Sequence, residues 1–286
     1  MILTIASGKG GTGKTTVAVN MALSLASNNG APGLLFLDCD VEEPNAHLFL
    51  KPAIDEREAV DIIIPHIDEA LCAHHGRCTQ VCQFHAIAAL PDTTLVFPEL
   101  CHGCGGCTLA CPEHAITEQP HQIGVIEAGK AGEISFAHGI LNVGEPMATP
   151  IIRQLKRRLN GDYDVSILDA PPGTACPVVE SMRGADFVLL VTEPTPFGLH
   201  DLRLAVEVAR DELGIPVGVV VNQDGIGDQG VDQYCSREDI PILMRIPLDR
   251  RIAEAYSEGI TIVEALPEYR ERFARLMNSI RTEAAT

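Results

Sequence analysis

A glycine-rich segment with two lysines lies near the start of the chain. Residues 8–15 read Gly-Lys-Gly-Gly-Thr-Gly-Lys-Thr and fit the pattern G-x-x-x-x-G-K-[ST]. In such a loop, small residues let backbone N–H groups cradle phosphates, the second lysine reaches the β- and γ-phosphates, and the final hydroxyl binds Mg²⁺. The alternative is a glycine-rich turn without a ligand. The loop predicts a site for ATP and Mg²⁺ formed by Gly8, Lys9, Gly10, Gly11, Thr12, Gly13, Lys14, Thr15 and Thr16, with Thr15 on the metal.

Seven of the ten cysteines lie between Cys72 and Cys111. The later four follow the spacing C-x2-C-x2-C-x3-C-P, which is the iron–sulfur run of bacterial ferredoxins: Cys101, Cys104, Cys107 and Cys111, followed by Pro112. Zinc competes for paired C-x2-C motifs. The third cysteine at the same spacing and the Cys-Pro ending favour an iron–sulfur cluster.

The earlier half of the cysteine segment repeats this spacing imperfectly. Cys72, Cys78 and Cys82 occupy the first, third and fourth positions, and His75 stands at the second. In two-cluster ferredoxins, which this pattern resembles, the fourth cysteine of each run binds the other cluster. The resemblance implies one [4Fe–4S] cluster on Cys82, Cys101, Cys104 and Cys107. It implies a second cluster on Cys72, Cys78 and Cys111, which is either [4Fe–4S] with a non-cysteine ligand such as His75, or [3Fe–4S]. His75 is alternatively a bystander, and His74 beside it is equally able to point inward.

The elements that would position these residues read as strand, loop, helix and strand. Residues 2–6 form a short apolar strand, a helical run covers 15–27, and residues 33–37 form the next strand. A βαβ unit of this kind implies a parallel sheet. Further strands are predicted at 165–168, 187–192 and 217–221, with a clear amphipathic helix at 201–213.

Aliphatic periodicity is lost from about Pro65 and returns after about Ile116. We therefore expect an α/β fold, a doubly wound, mostly parallel P-loop sheet with an inserted small α+β ferredoxin-like module. The predicted domains are the first part of the ATPase at 1–64, the two-cluster insertion at 65–117 and the second part of the ATPase at 118–286.

The segment from Lys9 to Thr15 matches K-G-G-x-G-K-[ST] throughout. It resembles the deviant Walker A loop of MinD, ParA, the Mrp-type iron–sulfur ATPases and the nitrogenase iron protein. That resemblance implies ATP hydrolysis by a homodimer in which Lys9 crosses to the partner's nucleotide, much as an arginine finger does. Without the resemblance, Lys9 is a solvated lysine that raises the local positive potential.

Two further segments resemble the switches of the same family. Asp38-Cys39-Asp40 resembles switch I, which implies that Asp40 orients the attacking water, so the predicted catalytic residues are Lys9, Lys14 and Asp40. Residues 169–173, Asp-Ala-Pro-Pro-Gly, resemble Walker B and switch II, where Asp169 would hold the Mg²⁺ shell and Gly173 would sense the γ-phosphate. Asn222, Pro247 and Asp249 are the implied adenine contacts, although an Asn after a strand is also an ordinary turn signal.

Composition limits the partners. The chain has 21 Lys and Arg against 39 Asp and Glu, a net charge of −18, which disfavours nucleic acid and anionic membranes. We interpret the basic run 156–158 as a solvated helix end and the isolated Cys39, Cys176 and Cys235 as small buried hydrophobes. No stretch has the ~20 apolar residues of a membrane span, and the N-terminus lacks the features of a signal peptide, so we expect a cytoplasmic protein without stable membrane insertion.

Three functions fit these features. The first is an ATPase that couples nucleotide to electron transfer or to an unknown redox or iron–sulfur partner. The second is a cluster carrier of the Mrp type, although Cys235 stands alone where those relatives carry C-x-x-C. The third is a spatial regulator like MinD or ParA. The acidic net charge and the lack of an obvious basic membrane-targeting tail in this sequence count against it. Residues 269, 273, 276, 277 and 280 share one apolar helical face, which we interpret as packed on the sheet rather than as a membrane anchor.

Overall fold

The computed structural model describes residues 1–26 and 33–285. Its strands are β1 (Ile2–Ala6), β2 (Leu34–Asp38), β3 (Ala53–Ile67), β4 (Ile87–Ala89), β5 (Thr94–Val96), β6 (Ile116–Ala131), β7 (Ile134–Leu141), β8 (Val165–Asp169), β9 (Phe187–Thr192), β10 (Val217–Asp224) and β11 (Ile242–Pro247). Its helices are α1 (Lys14–Ala26), α2 (Ala46–Leu50), α3 (Arg77–Val81), α4 (Gly106–Ala110), α5 (Thr149–Leu155), α6 (Cys176–Met182), α7 (Pro196–Val206), α8 (Gly230–Arg237), α9 (Arg250–Ser257), α10 (Ile262–Ala265) and α11 (Glu268–Glu283). Short 3₁₀ turns cover Pro98–Leu100 and Lys156–Arg158.

Nine strands form one sheet in the order β11-β10-β9-β1-β8-β2-β7-β6-β3. The pairings from β11 through to β7 are all parallel. Parallel strands of this kind are covered on both faces and are therefore apolar along their whole length. The predicted fold class, a mostly parallel α/β sheet, is confirmed. Because parallel strands end at the same edge, the loops after β1, β2 and β8 meet there.

The sheet is covered on both faces. Along β9, Phe187, Leu189 and Val191 join one buried cluster, whereas Val188 and Leu190 join the other. The first cluster includes the apolar face of α11, in which Tyr269, Phe273, Leu276, Met277 and Ile280 are all buried. The prediction that this face packs against the sheet is confirmed. Within the described ranges, no helix is long and apolar enough to cross a membrane.

The chain divides into two compact units. We call Met1–Arg57, Ile126–Ile140 and Ile152–Thr286 the sheet unit, and Glu58–Val125 with Leu141–Ile151 the cysteine unit. The long strand β3 leaves the sheet unit after Arg57, and β6 enters it at Ile126. The assignment of a ferredoxin-like insertion to 65–117 stays a prediction. The cysteine unit has its own small two-stranded sheet, β4–β5, and the short helices α3 and α4.

Three local expectations need correction or restriction. The predicted helix at 201–213 begins earlier, at Pro196, because Thr195 caps it by accepting a hydrogen bond from Gly198 N, and it continues as π-helix over Glu207–Glu212. The basic run is not merely a solvated helix end, because half-buried Lys156 donates hydrogen bonds to the carbonyls of Glu180 and Arg183. The predicted end of the first helix at residue 27 lies outside the described residues.

Candidate functional site

The glycine loop connects β1 to α1 and borders a cavity of about 550 Å³, within the range of small-molecule sites. The predicted residues that line it are Lys9, Gly10, Gly11, Thr12, Gly13, Lys14, Thr15, Thr16, Asp40, Asn222, Pro247 and Asp249. Gly8, Asp169 and Gly173 do not line the cavity directly. A Cβ at Gly8 would lie 2.2 Å from the carbonyl oxygen of Asp201, so close packing of the loop against α7 requires glycine there.

Lys14 is almost completely buried and forms an ion pair with Asp169 at the end of β8. Its Nζ lies 2.7 Å from Asp169 Oδ1 and 3.4 Å from Thr15 Oγ1. Burial alone would lower the pKa of Lys14, but Asp169, with Asp40 and Asp38 further away, raises it above its ordinary value. The lysine is therefore fully charged at neutral pH. Asp169 Oδ2 is buried and has no hydrogen-bond partner within the described structure, so it can accept a further donor or a metal-bound water.

Two aspartates at the end of β2, Asp38 as its last residue and Asp40 just beyond it, have different environments. Asp38 is fully buried, and its carboxylate accepts hydrogen bonds from the backbone N–H groups of Asp40, Asn45 and Ala46. Asp40 is partly buried and lines the cavity. Burial raises the pKa of both carboxyls, to about 6 for Asp40. Asp38 therefore shapes the loop, and Asp40 is the carboxylate available to a ligand.

Asn222 and Gly173 contact the phosphate loop in ways the sequence did not indicate. Asn222 Nδ2 donates to the Thr12 carbonyl at 2.8 Å, and a Cβ on Gly13 would come within 2.3 Å of that nitrogen. The backbone N–H of Gly173 donates to Ser7 O at 3.0 Å. Asn222 thus holds the loop in place in this structure, and its contact with adenine stays a prediction. The cavity's apolar side is formed by Leu248, Ile252, Ala253 and Tyr256, which suit a flat aromatic base.

The seven clustered cysteines separate into two groups within the cysteine unit. Cys82, Cys101, Cys104 and Cys107 line one small cavity. Cys72, Cys78 and Cys111 line another, together with His74 and His75. These are the two sets that the crossed pairing of ferredoxin runs implies, and all seven are free thiols. Burial raises the pKa of Cys101 and Cys107, so a bound cation would be needed to hold them as thiolates at neutral pH.

The backbone repeats itself in the two halves. His74 and Gly76 have positive φ angles of 51° and 75°, and the corresponding Gly103 and Gly105 have 62° and 70°. Each half ends with a backbone N–H directed at a sulfur: Ala86 N to Cys82 Sγ at 3.3 Å and Ala115 N to Cys111 Sγ at 3.4 Å. Such N–H···S contacts stabilise thiolates, which fits a soft metal cluster.

The two adjacent histidines differ. His74 Nδ1 lies 3.6 Å from Cys72 Sγ and 3.4 Å from Thr94 Oγ1, and its Nε2 is 3.6 Å from Glu69 Oε2. Glu69, Cys72 and His74 could together hold a metal ion. His75 is exposed, and its Nδ1 accepts a hydrogen bond from Arg77 N at 3.2 Å. Ligation by His75 stays a prediction, and the alternative already open from the sequence, His74, has its Nδ1 beside Cys72 Sγ.

The chain is similar over most of its length to a known family of nucleotide-binding domains. The CobQ/CobB/MinD/ParA nucleotide binding domain matches residues 3–262. The chain belongs to this family. Within it, an uncharacterised protein of Methanocaldococcus jannaschii is 32% identical over 91% of this chain and 90% of its own length. The resemblance of the sequence to MinD and ParA is therefore confirmed, whereas the iron–sulfur insertion stays a prediction.

Two other relatives of this CobQ/CobB/MinD/ParA member are informative. An iron–sulfur cluster carrier protein of Pyrococcus horikoshii is 28% identical, covering 98% of this chain and 86% of its own length. The structure of the septum site-determining protein MinD of P. horikoshii, complexed with Mg-ADP, superimposes with a TM-score of 0.59 at 20% identity, covering 98% of this chain and 95% of that one. The second similarity shows that the two proteins share a fold.

Two polar residues beside the glycine loop are not marked by any sequence motif, and one cysteine is exposed where the sequence predicts burial. Glu193, which follows β9, and Gln223, near the end of β10, interact beside the glycine loop. No motif flagged either residue; only their positions after predicted strands could have done so. Cys39 and Cys235 are buried as expected, but the expectation for Cys176 is wrong, since it begins α6 at the surface and is exposed.

Proposed function

We propose that this chain is a Mg-ATP-dependent iron–sulfur ATPase. ATP would promote a homodimer and would be coupled, through the cysteine unit, to electron transfer or to a change in partner binding. The observation that carries the proposal is the presence in one chain of two sites: a phosphate loop with a buried Lys14–Asp169 pair, and cysteines grouped as four plus three. Neither site alone would distinguish this function from a plain nucleotide switch or a plain ferredoxin.

The residues around the loop fit Mg-ATP. Backbone N–H groups of Gly10 to Lys14 would bind the phosphates, Lys14 would neutralise the β- and γ-phosphates, and Thr15 with Asp169 would hold the Mg²⁺ shell. The partnerless Asp169 Oδ2 supports that assignment. Asp40 would orient the attacking water and accept its proton. Mg²⁺, when bound, would offset the charge that develops on the phosphates.

The cysteine sets fit two clusters. Cys82, Cys101, Cys104 and Cys107 would hold a [4Fe–4S] cluster, and Cys72, Cys78 and Cys111 would hold a second with a non-cysteine ligand or as [3Fe–4S]. Such clusters supply one-electron chemistry. The protein's own contribution would be to supply thiolates, to donate backbone hydrogen bonds to Cys82 and Cys111, and to limit the access of water.

The second candidate is a cluster carrier. The names of several relatives favour it, since proteins 26–28% identical to this chain are iron–sulfur cluster carrier proteins. Against it stands Cys235, which is buried and has no neighbouring cysteine in the sequence with which to form an accessible pair. A spatial regulator is the least supported, because nothing in that role uses seven grouped cysteines.

The two leading functions differ in what ATP changes. Anaerobically purified protein would be studied by EPR, as isolated and reduced, with and without Mg-ATP, and Lys14→Ala would serve as the matched control. A nucleotide-dependent change in the cluster signals that is absent in Lys14→Ala supports coupling to electron transfer. Transfer of iron and sulfide to an apo-acceptor, with no such spectral change, would support the carrier. Absence of iron from freshly purified protein would contradict both.

A further inference from the structure

The first lysine of the glycine loop is held within its own chain. Lys9 Nζ donates a hydrogen bond to Glu193 Oε2 at 3.1 Å, and the Glu193 side chain is only 15% exposed. The other carboxylate oxygen of Glu193 accepts from Gln223 Nε2 at 3.2 Å. Both oxygens of Glu193 are thus engaged, which fixes the carboxylate in the orientation that meets Lys9.

Three adjacent strands place these groups. Lys9 follows β1, Glu193 follows β9, and Gln223 lies near the end of β10; β1, β9 and β10 are neighbours in the sheet. Gln223 has φ of 53°, a left-handed conformation that is unfavourable for any residue other than glycine. The surrounding fold therefore stabilises a strained backbone whose side chain supports Glu193.

One ammonium group cannot remain on Glu193 and also extend to the phosphates of a second chain. Opening the Lys9–Glu193 pair would also leave the largely buried Glu193 carboxylate without its cation. We propose that Glu193 is a positioning residue that holds Lys9 in its own chain and thereby weakens the ATP-promoted association of two chains. The inference rests on the proposed function, because the ATP-promoted homodimer proposed there is the assembly in which Lys9 would cross to the partner's nucleotide.

The expected effect is moderate. The Lys9 side chain is 32% exposed, and partly exposed ion pairs contribute little free energy. Removing the carboxylate charge should therefore tighten ATP-promoted association by about three- to fivefold. It should not make association independent of nucleotide, since Lys14 and the loop are unchanged.

Glu193→Gln tests this with minimal disturbance, because glutamine is nearly isosteric and still accepts from Gln223. The dissociation constant of the dimer would be measured by sedimentation with a non-hydrolysable ATP analogue and Mg²⁺. In parallel, the rate at which an amine-reactive reagent labels Lys9 would be measured by mass spectrometry in the nucleotide-free monomer. Exposed Glu207→Gln supplies a control with the same change of charge, and Lys9→Ala/Glu193→Gln tests whether the effect passes through Lys9.

The proposal expects faster labelling of Lys9 and tighter association in Glu193→Gln, no change in Glu207→Gln, and no gain from Glu193→Gln once Lys9 is alanine. If the wild-type protein dimerises with the analogue but Lys9 is labelled at the same rate in Glu193→Gln as in wild type, the role of Glu193 is overturned. The proposed function would still stand. Faster labelling without tighter association would also overturn it. If wild-type protein never dimerises with the analogue, the dimer in the proposed function fails, and the role of Glu193 fails with it.

Discussion

Lys14 and Asp169 form the charged centre of the nucleotide site, and their pairing makes the lysine both a binding and a structural residue. The two groups lie 2.7 Å apart, and both are buried. Lys14→Ala should abolish ATP binding because it removes the charge facing the β- and γ-phosphates. It should also leave Asp169 buried without its cation, and breaking one partner of such a pair costs about 3–5 kcal/mol.

Binding and folding can be separated for this residue. Calorimetric titration with Mg-ATP measures affinity, and urea unfolding measures the free energy of unfolding of the same variant. Lys14→Ala/Asp169→Asn is the matched control, since it removes both charges and should recover much of the stability without recovering binding. Undiminished ATP affinity in a folded Lys14→Ala protein would refute the assignment of the phosphate site.

Asp40 should give the ATPase a characteristic pH dependence. Burial raises its pKa to about 6, so the carboxyl is protonated below that pH and cannot orient a water molecule as a base. We expect kcat/KM, which reports the free enzyme, to fall as pH drops through about 6. Asp40→Ala should still bind ATP but turn over about 10²–10⁴-fold more slowly. Near-normal turnover in that variant would place the catalytic base elsewhere.

The same shift has a defined sign for stability. The folded chain holds the Asp40 proton more tightly than the unfolded chain, whose carboxyl titrates near pH 4. This group therefore makes the fold progressively less stable as pH rises from about 4 through about 6, and Asp40→Asn should flatten that slope. A slope in urea unfolding that is identical in wild type and Asp40→Asn would show that the carboxyl is not perturbed.

At the scale of elements, the two cysteine groups should hold unequal clusters. The group of four cysteines is complete, whereas the group of Cys72, Cys78 and Cys111 lacks one thiolate. An imidazole binds iron less firmly than a thiolate. Mild oxidation should therefore remove iron from the second cluster first and give a [3Fe–4S] EPR signal while the other cluster persists.

The histidines supply the controls for this prediction. His75→Cys should restore the spacing, suppress the conversion and lower the potential of that cluster. His75→Ala should accelerate the conversion if His75 is the ligand, and His74→Ala should do so if the imidazole near Cys72 is the ligand instead. Two equally stable clusters that respond to neither substitution would show that some other residue completes the site.

The sequence predicted the elements that carry strong local signals. The strands that end at Asp38 and Asp169 lie within a residue of their predicted bounds, because buried parallel strands are continuous apolar runs. The long strands β3 and β6 were not expected. β3 carries Asp55, Glu56, Arg57 and Glu58 in a row, and no alternating apolar pattern marks its first half, which is largely exposed.

The candidate site shows the same division between local and tertiary signals. The phosphate loop and the cysteine spacing are fixed by local sequence, so their residues could be listed in advance. Two separate pairs form only through folding. Gln223 donates a hydrogen bond to Glu193, and Phe84 stacks on His102 with ring centroids 3.7 Å apart. A single polar or aromatic residue forms no sequence motif with a recognisable spacing. Its partner is therefore known only from the tertiary structure.

At the scale of the whole molecule, the two units differ in what stabilises them. The sheet unit contains two large apolar clusters, one on each face of the sheet. In the cysteine unit, the buried cluster next to the cysteines consists of five residues: Cys78, Ile87, Cys111, Ala115 and Ile116. Two of the five are proposed metal ligands. So small a cluster rarely orders the surrounding chain without metal or disulfides, and all ten cysteines are free thiols.

Removing iron should therefore unfold the part of the cysteine unit around the clusters and leave the sheet unit able to bind nucleotide. Oxidation followed by chelation would strip the clusters, and hydrogen exchange would then report protection along the chain. We expect residues between about Asp68 and Ile116 to lose protection, while strands β1 and β8 keep theirs, because the phosphate loop rests on the apolar core of the sheet unit. Cys78→Ser/Cys111→Ser should reproduce part of this loss without chelator, and Cys235→Ser, outside both cysteine groups, serves as the control.

Protection of the cysteine unit that survives complete loss of iron would mean that side-chain packing alone stabilises it, and the thiols would then be free to serve as transient rather than structural ligands.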